Sequence, residues 1–124
     1  MPFQIQGDAE IIRITLSGQL TEAEISEVGR ELIRLEATYP TTPNRLTDLT
    51  GVEKGELPFA AIHERAKRNR ERVYTNKFKS AIVAPKTLDY GLTRIYQTLG
   101  EHPQVDLQIF KTRDEAEGWL AAKR

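Results

Sequence analysis

The chain has 124 residues, of which 39% are hydrophobic and 29% are charged, the composition of an ordinary water-soluble globular protein. Lysine plus arginine and aspartate plus glutamate total 18 each, so the zero net charge excludes a general electrostatic attraction to nucleic acid or anionic lipid. There is no cysteine, which excludes disulfides, thiolate catalysis and cysteine-based zinc sites.

The N-terminus carries no targeting signal that we can identify. It lacks the basic region and apolar run of a signal peptide, and no uncharged apolar stretch approaches the roughly 20 residues that span a bilayer. We therefore expect one cytoplasmic domain over residues 1–124, with no transmembrane segment.

Alternating apolar and polar residues near the N-terminus predict two strands, 3–6 and 10–18, joined in a hairpin by a turn at Gly7. A first helix follows, because Thr21 and Glu24 fit a capping box and apolar residues then recur at intervals of three and four. Its predicted buried stripe consists of Ile25, Val28, Leu32 and Leu35.

The rest of the chain alternates strands with helices. Predicted strands cover 45–49, 78–85 and 105–110, and predicted helices cover 58–73, 88–99 and a C-terminal segment opened by the capping box of Thr112 and Glu115. The continuous apolar run at 81–84 predicts an interior strand covered on both faces. The order ββαβαβαβα predicts an α/β fold with a mixed, mostly parallel sheet, an N-terminal hairpin and right-handed crossovers.

Three stretches resemble STAS domains and the SpoIIAA-like (STAS/CRAL-TRIO-like) small bacterial proteins. They are LTDLTGV at 46–52, AIVAPKTLDYGLTRIYQTL at 81–99 and IFKTRDEAEGWL at 109–120. Together, their order and spacing extend the resemblance over essentially the whole chain. The resemblance implies a SpoIIAA-like α/β domain. It implies a fold more than a function, because many small proteins of that group have no established activity.

The chain departs from the pattern of the anti-sigma-factor antagonists, in which a partner kinase phosphorylates a serine at the start of the next helix. The resemblance places Glu56 and Leu57 at the positions of the acid and of that serine, and no Ser or Thr occurs between Gly51 and Tyr74. Free amides and the helix dipole favour a phosphate at a helix N-terminus. Since the hydroxyl is absent, we expect no kinase switch of this type.

Two groups of residues are candidates for a binding site for a ligand or partner. Asp48 and Thr50 end the third strand, where α/β sheets commonly bind ligands, with Glu56 in the following turn. Alternatively, Asp48 accepts the backbone amide of Gly51 or Val52 and only caps the turn. Tyr90 and Arg94 open the third helix, whose N-terminal region suits an anion, unless Arg94 pairs with a neighbouring acid.

Residues 64–79 contain seven lysines or arginines. The candidate basic patch comprises Arg65, Arg68, Arg72, Lys77 and Lys79. One interpretation is a helix that contacts nucleic-acid phosphates. We favour the alternative of a solvated face with local ion pairs, because the net charge is zero. An acidic protein partner is a third interpretation.

The sequence contains no catalytic or metal-binding motif that we can identify. Lys67 stands where a zinc helix opened by His63 would need its second histidine, His102 is a lone loop histidine, and the nucleotide and serine-hydrolase motifs are absent. We expect no enzyme, cofactor or metal. We interpret the chain as a binding or regulatory module that contacts a protein partner through the turn at 50–58 and the second helix, with a homodimer as one arrangement. Two alternatives stay open, a carrier of a small anionic, nucleotide or lipid ligand and a nucleic-acid-binding protein.

Overall fold

The computed structural model describes residues 3–18, 21–52, 64, 67, 68, 71–84 and 102–122. The elements are β1 (Phe3–Gly7), β2 (Ile11–Gly18), α1 (Glu22–Glu36), β3 (Asn44–Val52), β4 (Phe78–Val83), β5 (Val105–Phe110) and α2 (Arg113–Ala121). Within the predicted second helix, residues 64, 67, 68 and 71 are helical, whereas 72 and 73 are not. The other positions of that helix and the predicted helix at 88–99 lie outside the described residues.

The five strands form one sheet in the order β1-β2-β3-β4-β5. β1 and β2 pair in antiparallel fashion, and the pairs β2–β3, β3–β4 and β4–β5 are parallel. This confirms the mixed, mostly parallel sheet with an N-terminal hairpin. We call the edge at which β2 to β5 end the carboxyl edge, and the edge at which they begin the amino edge.

The hairpin turn is stabilised by the carboxylate of Asp8. Its Oδ1 accepts the backbone N–H groups of Glu10 at 2.8 Å and Ile11 at 3.0 Å. Gly7 is required just before the turn, because a Cβ at this position would lie 2.8 Å from Cγ1 of Ile12. The register of the whole hairpin therefore depends on this short segment.

The Asp8 carboxyl is expected to titrate below its ordinary pKa of 3.8, because the amides of Glu10 and then Ile11 bind its charged form. A lowered folded pKa contributes stability that is present above the unfolded pKa and is lost as the pH falls through the folded value. Asp8→Asn should therefore lower the melting temperature at neutral pH, and the difference should shrink in acid. Thermal unfolding of both proteins over pH checks this. A difference independent of pH would contradict it.

Both helices begin at the predicted capping boxes. The Thr21 hydroxyl oxygen accepts the Glu24 N–H at 3.2 Å at the start of α1. At the start of α2, the Thr112 hydroxyl accepts the Glu115 N–H at 3.3 Å and donates to the Glu115 carboxylate at 2.9 Å. Each threonine satisfies an amide that has no partner within its helix.

α1 and α2 pack on opposite faces of the sheet. Successive residues of a strand point to opposite faces, so the strands contribute apolar side chains to both. On the α1 face, the buried cluster contains Phe3, Ile12, Ile14, Leu16, Leu32 and Val52. On the α2 face, it contains Leu46, Ala81, Val83, Ala116 and Leu120. Every residue of β4 is buried, as the apolar run predicted. β3 extends to Val52, three residues beyond its predicted end, and β4 ends at Val83, two residues short.

Candidate functional site at the carboxyl edge

Asp48 and Thr50 contact each other at the carboxyl end of β3. A β-bulge lies here: Thr15 of β2 pairs with Asp48, whereas Ser17 pairs with Gly51, so β3 contains one extra residue. Bulges redirect side chains. Here Asp48 Oδ1 accepts the Thr50 N–H at 2.9 Å and the Thr50 hydroxyl at 2.6 Å. The carboxylate therefore closes a turn, as the alternative interpretation held, but on the amide of Thr50.

The second carboxylate oxygen of Asp48 is bound by α2. Arg113, the first residue of α2, donates from Nη1 to Asp48 Oδ2 at 3.2 Å. Glu117, one turn later, accepts two hydrogen bonds from Arg13 of β2, at 3.0 and 3.3 Å. Two carboxylates and two guanidiniums thus connect β2, β3 and α2 with balanced charge.

The arrangement makes Asp48 a structural anion at the surface of the site. Its side chain is only 7% exposed, whereas that of Arg113 is 42% exposed. Both carboxylate oxygens of Asp48 already accept hydrogen bonds, so neighbouring side chains fix the orientation of the carboxylate. Among the described residues of this part of the edge, the side chains of Thr50 and Arg113 are exposed to solvent.

Asp48→Asn is expected to lower the free energy of unfolding by about 1–2 kcal/mol, because the amide can still accept from Thr50 but no longer offers Arg113 an anion. Urea unfolding followed by circular dichroism measures the change. Thr50→Ser is the matched control, since it keeps the hydroxyl bond and should have little effect. Equal losses in the two variants would contradict the assigned role of Arg113.

Three predicted binding residues, Glu56, Tyr90 and Arg94, lie outside the described residues. Of the predicted binding residues, the structure brings Asp48 and Thr50 together. The contact with Arg113 was not predicted, because residues 65 positions apart meet only once α2 is placed against β3.

The described members of the candidate basic patch do not share one surface. Lys79 is buried on the α2 face, where its ammonium contacts the end of α2. Arg72 binds Glu36, and Arg68 pairs with Glu64 on an exposed surface at 3.3 Å. Lys77 is exposed, and Arg65 lies outside the described residues. The exposed Arg68–Glu64 pair is a local ion pair of the kind that the solvated-face alternative expects, whereas Arg72 binds a buried carboxylate of α1.

A buried ion pair that the sequence did not reveal lies at the amino edge. Arg45, at the start of β3, donates from Nε and Nη2 to the Glu36 carboxylate at 2.7 and 2.9 Å. Arg72 adds a third hydrogen bond to Glu36 at 3.0 Å. Burial opposes the charged form of Arg45, but Glu36 and the Tyr74 hydroxyl outweigh it and raise the pKa of Arg45 above its ordinary range.

Side chains at the amino edge also form hydrogen bonds with the backbone of residues 72–74, which precede β4. The Gln104 side chain pairs with the backbone of Tyr74, accepting its N–H at 2.9 Å and donating to its carbonyl at 2.7 Å. His102 accepts the Gln104 N–H at Nδ1 and is hydrogen-bonded to the Arg72 carbonyl at Nε2. Both ring nitrogens of His102 are therefore occupied, which is a structural role.

Among the described residues, no group of three or more His, Cys, Asp or Glu side chains is placed to hold a metal ion. None of the helices in the described part of the chain is long and apolar enough to cross a membrane.

Solved structures with the same architecture include two that align over nearly the whole chain. One is an anti-sigma factor antagonist from Mycobacterium paratuberculosis, with 16% identity, a TM-score of 0.58, and coverage of 97% of this chain and 93% of that one. The other is an uncharacterised DUF3478-family protein with a SpoIIAA-like fold from Shewanella loihica PV-4, with 20% identity, a TM-score of 0.62, and coverage of 96% and 92%.

No protein-family model and no curated protein sequence matches the chain. At these identities, the two structural likenesses establish the fold. The chain is an α/β protein with a SpoIIAA-like, or STAS-like, domain fold, as the sequence motifs predicted.

Proposed function

We propose that the chain is a non-enzymatic, cytoplasmic regulatory module that acts by binding another protein at the carboxyl edge. The fold that it shares along nearly its full length with an anti-sigma factor antagonist supports a regulatory protein-binding role. The proposed contact set is Asp48, Thr50, Glu56, Tyr90 and Arg94, with Arg113 added from the structure.

The observation that carries this proposal is the set of hydrogen bonds that the Asp48 carboxylate accepts. Thr50 and Arg113 together donate three hydrogen bonds to it, so this buried acid maintains the shape of the surface. A charge-balanced surface, whose buried acid is already engaged by neighbouring side chains, suits recognition of a protein partner more than catalysis by a free carboxylate.

The bound partner would not be released by phosphorylation at the start of the next helix, because Leu57 has no hydroxyl group. Regulation is therefore expected to act on the partner or on its abundance.

Site-specific photo-crosslinking in the source cells tests the proposal. A photoreactive phenylalanine analogue at Thr50 should give discrete adducts with one or a few proteins, which mass spectrometry identifies. The same analogue at Thr41, exposed in the loop before β3 at the opposite edge, is the matched control. Absence of adducts at Thr50, or the same adducts at both positions, would overturn the proposal.

A further inference from the structure

β1 is the outermost strand of the sheet, and no described segment pairs with its outer side. Its sequence, FQIQG, contains no charged residue and no proline, and its register with β2 is regular from end to end. Exposed edges are usually protected by lysines, prolines or bulges, because an unpaired edge offers its backbone groups to another chain. β1 has none of these protections.

The pairing pattern identifies which backbone groups face outward. The Asp8 N–H donates to the Ile11 carbonyl at 3.0 Å, so this pair closes the hairpin with a hydrogen bond. Hydrogen-bonded pairs alternate along antiparallel strands, which makes Gln6 and Gln4 the residues whose backbone groups bond to β2. The N–H and C=O groups of Phe3, Ile5 and Gly7 therefore point away from the sheet.

The side of α1 that borders this edge is acidic. α1 lies closest to β1 among the strands, with Leu32 facing the sheet and Glu36 reaching inward to Arg45. The side of α1 opposite to Glu36 points beyond β1, away from the rest of the sheet. We call it the outer flank of α1; it consists of Glu24, Glu27, Glu31 and Leu35.

Two carboxylates of the outer flank have no cationic partner among the described residues. Glu31 binds Arg34 at 2.8 Å, whereas no ion pair involves Glu24 or Glu27 in the described part of the chain. Glu24 Oε2 is buried without a hydrogen-bond partner there. That oxygen is inaccessible from outside, so the partly exposed remainder of Glu24 and the partly exposed Glu27 are the acidic groups that a basic side chain can approach.

We propose that the outer edge of β1 binds an extended, basic segment of a partner protein as an additional strand of the sheet. The backbone groups of Phe3, Ile5 and Gly7 supply the hydrogen bonds, as in other cases of strand addition. Alternate side chains of the bound segment lie beneath the outer flank of α1, where lysine or arginine meets Glu24 and Glu27. This goes beyond the function proposed above, because it concerns a different surface.

A second copy of this chain does not fit the same edge in an antiparallel β1–β1 pairing, which places both α1 helices on one face of the joined sheet. Pairing β1 with its own copy would bring the two strands within about 4.8 Å of each other. Because α1 lies over β1, the two α1 helices would then be nearly as close, whereas packed helices need about 8–10 Å between axes. The geometry favours a single extended segment without a covering helix.

Panning a phage-displayed library of random decapeptides against the full chain provides the probe. Enriched sequences should alternate between polar and apolar residues. Lysine or arginine should recur at every second position, on the side of the peptide that lies beneath the outer flank of α1. Hydrogen exchange of the complex should show new protection at the amides of Phe3, Ile5 and Gly7. The amides of Gln4 and Gln6 should be protected with and without peptide. Failure to enrich such peptides, or protection elsewhere, would overturn the proposal.

A matched pair of variants tests the charge argument. Glu24→Gln with Glu27→Lys should weaken binding of the selected peptide at least about tenfold, because two charge contacts are lost or reversed. Glu64→Gln with Glu71→Lys makes the same charge change at helical residues outside the flank and should change affinity less than about twofold. Equal affinity for both variants, or β1 amides protected in a dimer without peptide, would reject the basic segment as occupant.

Discussion

Glu36→Ala is expected to lower the free energy of unfolding by about 3–5 kcal/mol, the effect of leaving a buried charge without its partner. The Glu36 side chain is 5% exposed and that of Arg45 is 7% exposed, so water cannot replace the lost carboxylate. Arg72, whose side chain is 26% exposed, would lose its partner as well but can turn towards solvent. Urea unfolding followed by circular dichroism gives the change.

Two controls test whether the loss of stability comes from leaving a buried charge unpaired. Replacing both partners, in Glu36→Leu with Arg45→Leu, should restore stability to within about 1 kcal/mol of the original chain, since no unpaired charge stays buried. Glu31→Ala removes an ion pair on the same helix whose Arg34 side chain is 69% exposed, and should have little effect. If Glu36→Ala were as mild as Glu31→Ala, the burial of Arg45 would not govern stability.

Local patterns in the sequence predicted most of the secondary structure of the described residues. β5 has its predicted bounds, and both helices begin after the threonines of the predicted capping boxes, because these signals depend on neighbours within a few residues. The predicted end of β3 was wrong for a physical reason. After the bulge, Gly51 and Val52 pair with Ser17 and Gly18, and this pairing depends on β2 rather than on the composition of β3.

The ion pair of Glu36 and Arg45 was missed because each residue resembles a surface residue when considered alone. Glu36 does follow Leu32 by four residues, so it continues the apolar stripe of α1, and that spacing was the available signal. In the candidate site, the neighbours Asp48 and Thr50 were both identified from the sequence. Arg113 was not, because its contact depends on how α2 crosses the sheet.

Strand periodicity explains the position of Lys79. It is flanked by the buried residues Phe78 and Ser80 of β4 and points to the opposite face from both. That face is covered by α2, so a lysine that composition assigns to a basic surface is enclosed, two residues after the exposed Lys77. Its positive charge is stabilised because backbone carbonyl groups at the C-terminal end of α2 accept hydrogen bonds from its ammonium.

Lys79→Met is expected to lower the free energy of unfolding by about 3 kcal/mol, the loss of two charge-assisted hydrogen bonds. The Lys79 ammonium donates to the carbonyls of Trp119 and Ala122, each at 2.9 Å, and lies 5.1 Å from the centre of the indole ring. α2 has no basic residue in its own last turn. Lys79 therefore supplies, from β4, the cation that stabilises the C-terminal end of this helix dipole.

Trp119 is the single tryptophan of the chain, so its fluorescence reports directly on this contact. In Lys79→Met, we expect emission at longer wavelength in the folded state, because the end of α2 loosens and water reaches the indole. Lys77→Met is the matched control: it removes an exposed lysine from the adjacent segment and should leave both emission and stability unchanged. A destabilised Lys79→Met protein with unshifted emission would mean that the lysine acts through packing in β4, not through the helix end.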